Sequence, residues 1–130
     1  MTTTTSTCRI LIVDDEPHIV TAIDFLMQQC GFETAHANDG LEALHKVAQF
    51  RPDLIILDVS MPRMDGFELS KEIRTRLEYQ NTKIIFLTAK GTQKDKMDGY
   101  GAGGDVYLTK PFDNRELVKT VTEMVQFECQ

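Results

Sequence analysis

The sequence lacks most of what marks an exported, membrane-spanning or nucleic-acid-binding chain. Its three cysteines, Cys8, Cys30 and Cys129, are an odd number without C-x-x-C spacing. That argues against a disulfide framework or a zinc site and fits a reducing cytoplasm. No apolar run approaches the roughly 20 residues that a bilayer span requires. The leading Met1-Thr2-Thr3-Thr4-Thr5-Ser6-Thr7 lacks the charged and apolar regions of a signal peptide. Residues 1–7 are therefore expected to be a short disordered lead, with the folded domain over 8–130. Basic charge is in deficit: 14 Lys and Arg face 20 Asp and Glu, for a formal net charge of −6. A surface of that sign repels a phosphate backbone and disfavours direct nucleic-acid binding. No internal repeat of a solenoid's roughly 20- to 50-residue period is visible.

What is present is enough for one domain. The 130 residues, 42% hydrophobic and 26% charged, can build a single core without cross-links. Arg9-Ile10-Leu11-Ile12-Val13 is a continuous apolar run that stops at acids, as a strand buried on both faces does. From Pro17 to Cys30, the residues Ile19, Ile23, Leu26, Met27 and Cys30 form one helical stripe, with Pro17 in the first turn and Gly31 as terminator. Glu33 to Ala37 predicts a second, more polar strand near an edge. Asn38-Asp39-Gly40 predicts a turn and cap before a helix carrying Leu41, Leu44, Val47 and Ala48.

After Pro52-Asp53, the run Leu54-Ile55-Ile56-Leu57 is a third strand, ending at Asp58. A third helix is expected from about Gly66 to Leu77, with Leu69, Ile73 and Leu77 spaced by four. Lys83 to Leu87 predicts strand four, and Val106-Tyr107-Leu108 strand five. Asn114 is the expected cap of a last helix with the stripe Leu117, Val121, Met124 and Val125. The segment Gly91 to Gly104 holds five of the eight glycines around a mostly polar helix. Glycine costs a helix about 1 kcal/mol against alanine, so this element is expected to be the weakest and most mobile. Strands alternating with helices predict a parallel α/β sheet covered on both faces.

Ligands of such sheets bind beyond the carboxyl ends of the strands. Those ends are Asp14-Asp15-Glu16, Asp58, Thr88 and Lys110. A lone Asp after an apolar strand is an ordinary turn or cap residue. Three carboxylates with a hydroxyl and an ammonium are not. The carboxylates repel one another unless a cation sits among them, and hard oxygen donors with room for water suit Mg2+. Three carboxylates, one Mg2+ and one lysine sum formally to zero, so an incoming anion would be accepted.

These residues carry a family resemblance. Val13-Asp14-Asp15-Glu16-Pro17, Leu57-Asp58-Val59, Met61-Pro62-Arg63-Met64-Asp65-Gly66, Leu87-Thr88-Ala89 and Tyr107-Leu108-Thr109-Lys110-Pro111-Phe112 resemble the receiver domains of two-component signalling response regulators, from about Cys8 to Phe127. The resemblance, which is chemotaxis-regulator-like, implies a flavodoxin-like, doubly wound five-stranded parallel sheet of order 2-1-3-4-5 with five helices. It implies a phosphorelay phosphoprotein in which Asp58 takes a phosphoryl group from a phosphohistidine as an aspartyl phosphate.

The implied metal set is Asp14 through water, Asp15, Asp58 and the backbone carbonyl of Ser60, holding Mg2+ or Mn2+. Lys110, the Thr88 hydroxyl and the Ala89 amide are implied to bind the phosphoryl group, Thr88 and Tyr107 to switch, and Ser60 and Lys90 to tune its lifetime. Lys110-Pro111 resembles the family's cis peptide. The implied output face is helix four, strand five and helix five. Implied partners are a sensor histidine kinase or phosphotransfer protein and a downstream protein target. No membrane contact is implied, and the state is a monomer or a phosphorylation-linked dimer.

Such a chain is not a turnover enzyme; it catalyses only its own Asp phosphorylation and dephosphorylation. It is either a stand-alone receiver or the N-terminal part of a longer regulator. Two alternatives are an Asp-nucleophile phosphatase of the haloacid-dehalogenase kind and a degenerate receiver used for docking. The first expects D-x-D after its first strand, and here the acids are adjacent. Glu16 reads as a helix N-terminal acid, Asp65-Gly66 as a turn and cap, and His18, His36 and His45 as surface residues without ligand spacing.

Overall fold

The computed structural model describes residues 8–126, so the expected disordered lead and Cys129 lie outside the described residues. Strands and helices alternate as β1 (Arg9–Val13), α1 (Pro17–Gln29), β2 (Glu33–Ala37), α2 (Gly40–Phe50), β3 (Leu54–Leu57), α3 (Gly66–Arg74), β4 (Lys83–Thr88), α4 (Gln93–Gly101), β5 (Val106–Thr109) and α5 (Asn114–Val125). The five strands make one parallel sheet in the order β2-β1-β3-β4-β5. Order and helix count match the flavodoxin-like expectation.

All of β3, β1 from Ile10 and β4 from Ile84 are buried, as continuous apolar runs covered on both sides must be. The more polar β2 lies at one edge. Alternate residues of the strands feed two apolar layers. On one face Ile10, Ile12 and Ile56 meet Ile23 and Met27 of α1 and Leu117 and Val121 of α5. On the other, Leu11, Val13 and Phe86 meet Val47 of α2 with Leu69 and Ile73 of α3. Each such side chain contributes roughly 1.5 to 3 kcal/mol by leaving water. The result is a stiff sheet from whose carboxyl edge loops project. The three histidines are exposed, as expected, and the Lys110–Pro111 peptide is cis.

Several local expectations are corrected. Helix α3 stops at Arg74 rather than Leu77; Leu77 opens a separate 3-10 turn, Leu77–Tyr79, and is 90% exposed. The spacing by four continues past the point where sheet surface is available, and hydrogen bonds from Gln80 to the carbonyls of Arg74 (2.7 Å) and Arg76 (3.2 Å) close the helix end instead. Helix α5 is capped by Asp113, which accepts from the amides of Arg115 and Glu116, not by Asn114. Leu41 is half-exposed, and the buried face of α2 uses Ala43 and Val47. Cys8 is a free buried thiol, but Cys30 is disulfide-bonded. An odd count leaves one thiol over without forbidding a pair.

Helix α4 contributes only Gly99 to the interior, and Met97 and Tyr100 face solvent. Its glycines nevertheless serve packing. A Cβ on Gly99 would meet the Tyr107 ring at 2.7 Å, and one on Gly104 would meet the Phe86 ring at 2.4 Å. The C-terminal end of α4 is clamped from α3. The buried Ser70 hydroxyl donates to the Ala102 carbonyl at 2.7 Å. Arg74 donates to the carbonyls of Gly103 (3.0 Å), Tyr79 (2.9 Å) and Thr82 (2.7 Å) and pairs with Asp105 (3.0 Å). Arg74→Ala is expected to cost about 2 to 3 kcal/mol, because it strips these carbonyls of a charged donor in a half-buried setting. Denaturant unfolding checks this; an unchanged midpoint would contradict it.

Candidate functional site

The site grows from the ladder. Val13 pairs with Leu57 in the β1–β3 register, and the Asp58 amide continues that ladder by donating to the Val13 carbonyl at 2.9 Å. The Asp14 amide donates to the Ala37 carbonyl at 3.2 Å, and the Lys110 amide to the Thr88 carbonyl at 2.8 Å. Asp14, Asp58, Thr88 and Lys110 therefore stand side by side where four strands end. The first three are almost wholly buried, at 3%, 5% and 1% exposure.

The Lys110 ammonium lies 2.9 Å from Asp14 Oδ2, 3.0 Å from Glu16 Oε1 and 3.4 Å from Asp58 Oδ2. Burial works against its charge, but the hydrogen bonds to Asp14 and Glu16 and the field of Asp58 outweigh burial and raise its pKa. Asp14 is pushed up from the usual carboxylate range, chiefly by burial, against the Glu16 amide and Lys110. Carboxylate oxygens of Asp14, Glu16 and Asp58 all lie within 4.8 Å of one another. Three acids so close are stabilised by positive charge, which Lys110 supplies in part. Their hard oxygen donors fit Mg2+ or Mn2+.

The sequence reading missed Glu16. It occupies the N-cap position of α1 but makes no side-chain cap bond, and its carboxylate turns to Lys110. The signal was the third acid of the run, which looked like an ordinary helix-terminal charge. Asp15, expected among the ligands, is exposed and outside the clustered set. Ser60, Ala89 and Lys90 are exposed around the rim, and the Ser60 amide leans on Asp58 Oδ1 at 3.4 Å. The Thr88 hydroxyl accepts from the Lys90 amide at 3.3 Å. Tyr107 is buried, donates its hydroxyl to the Lys90 carbonyl at 2.5 Å, and has its pKa raised by burial to about 12. Asp39 and Asp65 are helix caps, as expected, and Asp65 forms a capping box with Glu68.

A doubly wound sheet with an acid cluster and a lysine at its carboxyl edge fits the receiver-domain resemblance. The chain belongs to the response regulator receiver domain family, whose model matches residues 10–122. It is 44% identical over 110 residues to the alkaline phosphatase synthesis transcriptional regulatory protein PhoP of Bacillus subtilis, covering 84% of this chain and 45% of that protein. To the DNA-binding dual master transcriptional regulator RpaA of Synechocystis it is 36% identical, covering 91% of this chain and 49% of that one. The chain thus spans about half the length of these relatives. Among solved structures it resembles the Vibrio cholerae chemotaxis protein CheY4, with 37% identity and a TM-score of 0.87 over 92% of this chain and 99% of that one. A response regulator from Chloroflexus aurantiacus matches with 34% identity and a TM-score of 0.88, over 93% and 99%. Among the described residues, no helix is long and apolar enough to cross a membrane.

Proposed function

We propose that this chain is the phosphoacceptor of a two-component phosphorelay and that Asp58 is the acceptor. The observation that carries the proposal is the buried Asp58 carboxylate, 3.4 Å from the Lys110 ammonium at the strand ends. A carboxylate oxygen of Asp58 attacks the phosphorus of a partner's phosphohistidine. The O–P bond forms as the P–N bond breaks, and the imidazole leaves with the electron pair. Lys110 holds its proton and moves from the carboxylates to an oxygen of the incoming phosphoryl group. Asp14, Asp15, Asp58 and the Ser60 carbonyl are the proposed metal-holding set, with Asp15 turning in from its exposed position. When bound there, Mg2+ supplies the positive charge that offsets the acids and the phosphoryl oxygens.

The Thr88 hydroxyl and the Ala89 amide receive the product. Thr88 gives up the Lys90 amide to do so, which loosens the Lys90 segment that Tyr107 holds. That coupling supports a switch through Thr88 and Tyr107 to the face of α4, β5 and α5, with Ser60 and Lys90 tuning the lifetime. The donor partner is a histidine kinase or phosphotransfer protein, and the target is a protein. The cytoplasm is proposed on the kinase partnership alone, because the disulfide of Cys30 removes the cysteine argument for it.

The test is to incubate the protein with Mg2+ and a small acyl-phosphate donor and follow its mass. One acid-labile phosphoryl group is expected on the wild type and none on Asp58→Asn. An undiminished adduct on Asp58→Asn would remove Asp58 from the mechanism.

A further inference from the structure

The loop from Val59 to Asp65 carries Ser60 across the rim. Its two ends are fixed by the backbone: the Asp58 amide sits in the β1–β3 ladder, and the Gly66 amide donates to the Val59 carbonyl at 2.9 Å. Its middle is not part of any helix or strand. There Arg63 adopts φ 71°, a left-handed conformation that a non-glycine residue rarely takes without something to hold it. The Met64 amide closes this turn by donating to the Pro62 carbonyl at 2.9 Å, and the Arg63 side chain reaches outward to the start of α2. Arg63 Nη2 pairs with Asp39 Oδ2 at 2.6 Å, and Asp39, only 8% exposed, is the N-cap of α2. Beside this pair Met64 lies against the first residue of α2, so closely that a Cβ on Gly40 would stand 2.7 Å from the Met64 Cβ.

We infer that Arg63 and Asp39 are a positioning pair, whose contact ties the β3–α3 loop to the start of α2 and sets the direction of the Ser60 carbonyl toward a bound divalent cation. The inference rests on the metal set proposed above. Asp39 has two tasks on its two oxygens: Oδ1 accepts from the Glu42 amide at 2.8 Å and Oδ2 takes Arg63. The cap fixes the carboxylate, and the carboxylate fixes the loop. Without the guanidinium, the turn at residue 63 loses its tie to α2 and is free to shift. The peptides between it and the anchored Asp58 then rotate, Ser60 among them.

The experiment is calorimetric titration of MgCl2 into the whole chain at a temperature well below unfolding, for wild type, Arg63→Ala, Asp39→Asn, Arg63→Lys and Arg74→Ala. Arg63→Ala and Asp39→Asn are expected to weaken Mg2+ binding roughly 10-fold, as loss of an outer-shell partner does. Arg63→Lys keeps the cation and recovers most of the loss. Arg74→Ala lowers thermal stability at a distant clamp and leaves Mg2+ affinity unchanged. Wild-type affinity in both Arg63→Ala and Asp39→Asn would overturn the inference, as would an equal loss in Arg74→Ala or no recovery with lysine. Absence of Mg2+ binding by the wild type would instead overturn the proposed metal set itself, and this inference with it.

Discussion

Lys110→Ala is expected to slow formation of the Asp58 acyl phosphate by roughly 100-fold or more, the usual loss when a preorganised donor to a developing anion is removed. The ammonium is the one cation within hydrogen-bonding reach of Asp14 and Asp58 among the described residues, and its side chain is only 12% exposed. Solvent therefore replaces it poorly. Its removal also leaves three mutually close carboxylates facing an incoming phosphoryl dianion. Lys110→Arg is expected to rescue little. The three acceptors, at 2.9, 3.0 and 3.4 Å, surround a point charge, whereas a planar guanidinium fork reaches farther and demands paired acceptors. Initial rates of adduct formation by mass spectrometry, with a small acyl-phosphate donor at fixed Mg2+, check both variants. An unchanged rate in Lys110→Ala would show that the ammonium takes no part in transfer.

Gly66→Ala is expected to destabilise the fold by about 3 kcal/mol, the upper end of what overpacking usually costs. The midpoint of thermal unfolding should fall by about 10 °C. A Cβ on Gly66 would stand 2.3 Å from the Asp58 carbonyl oxygen and 2.9 Å from the Val59 Cα. Both obstacles are backbone, and the Asp58 segment is anchored in the ladder, so neither side yields cheaply. What movement does occur displaces Asp58, and phosphorylation should fall with stability. Gly101→Ala is the matched control. Gly101 ends α4, and a Cβ there would meet nothing within 4 Å. That substitution is expected to be neutral or stabilising by about 0.5 to 1 kcal/mol through the unfolded chain. Thermal unfolding of the two variants separates a steric requirement from a general intolerance of alanine; equal losses would contradict the first.

Much of this was legible in the chain itself. Ile10 to Val13, Leu54 to Leu57 and Ile84 to Leu87 are continuous apolar runs, and a run without alternation has few homes except a sheet covered on both sides. Because each run stops at a polar residue, Asp14, Asp58 or Thr88, the strand ends could be read as one rim. What was not legible lies where side chains choose among partners. Glu16 and Asp15 are neighbours in sequence, yet one turns to Lys110 and the other to solvent. Spacing alone cannot make that distinction, since the partner lies 94 residues away.

The α4 region shows the same division. Its glycines are local in the sequence and carry the local meaning of weak helix propensity. In the fold, Gly99 and Gly104 are the places where the Tyr107 and Phe86 rings pass closest to the backbone. Arg63 stood only as part of a motif and Asp39 as a cap, and only their pairing across 24 positions makes them a unit.

The sequence by itself determined the alternation of strands and helices, the parallel order through its resemblance, and the set of acids, hydroxyl and lysine at the strand ends. Periodicity and chain connectivity are local properties, and a strand's last residue is wherever its apolar run stops. Only the tertiary structure decided which carboxylates Lys110 gathers, which glycines are obligatory and what holds the Ser60 loop. Those outcomes depend on distances between segments tens of residues apart, which are set by packing the two layers against one sheet.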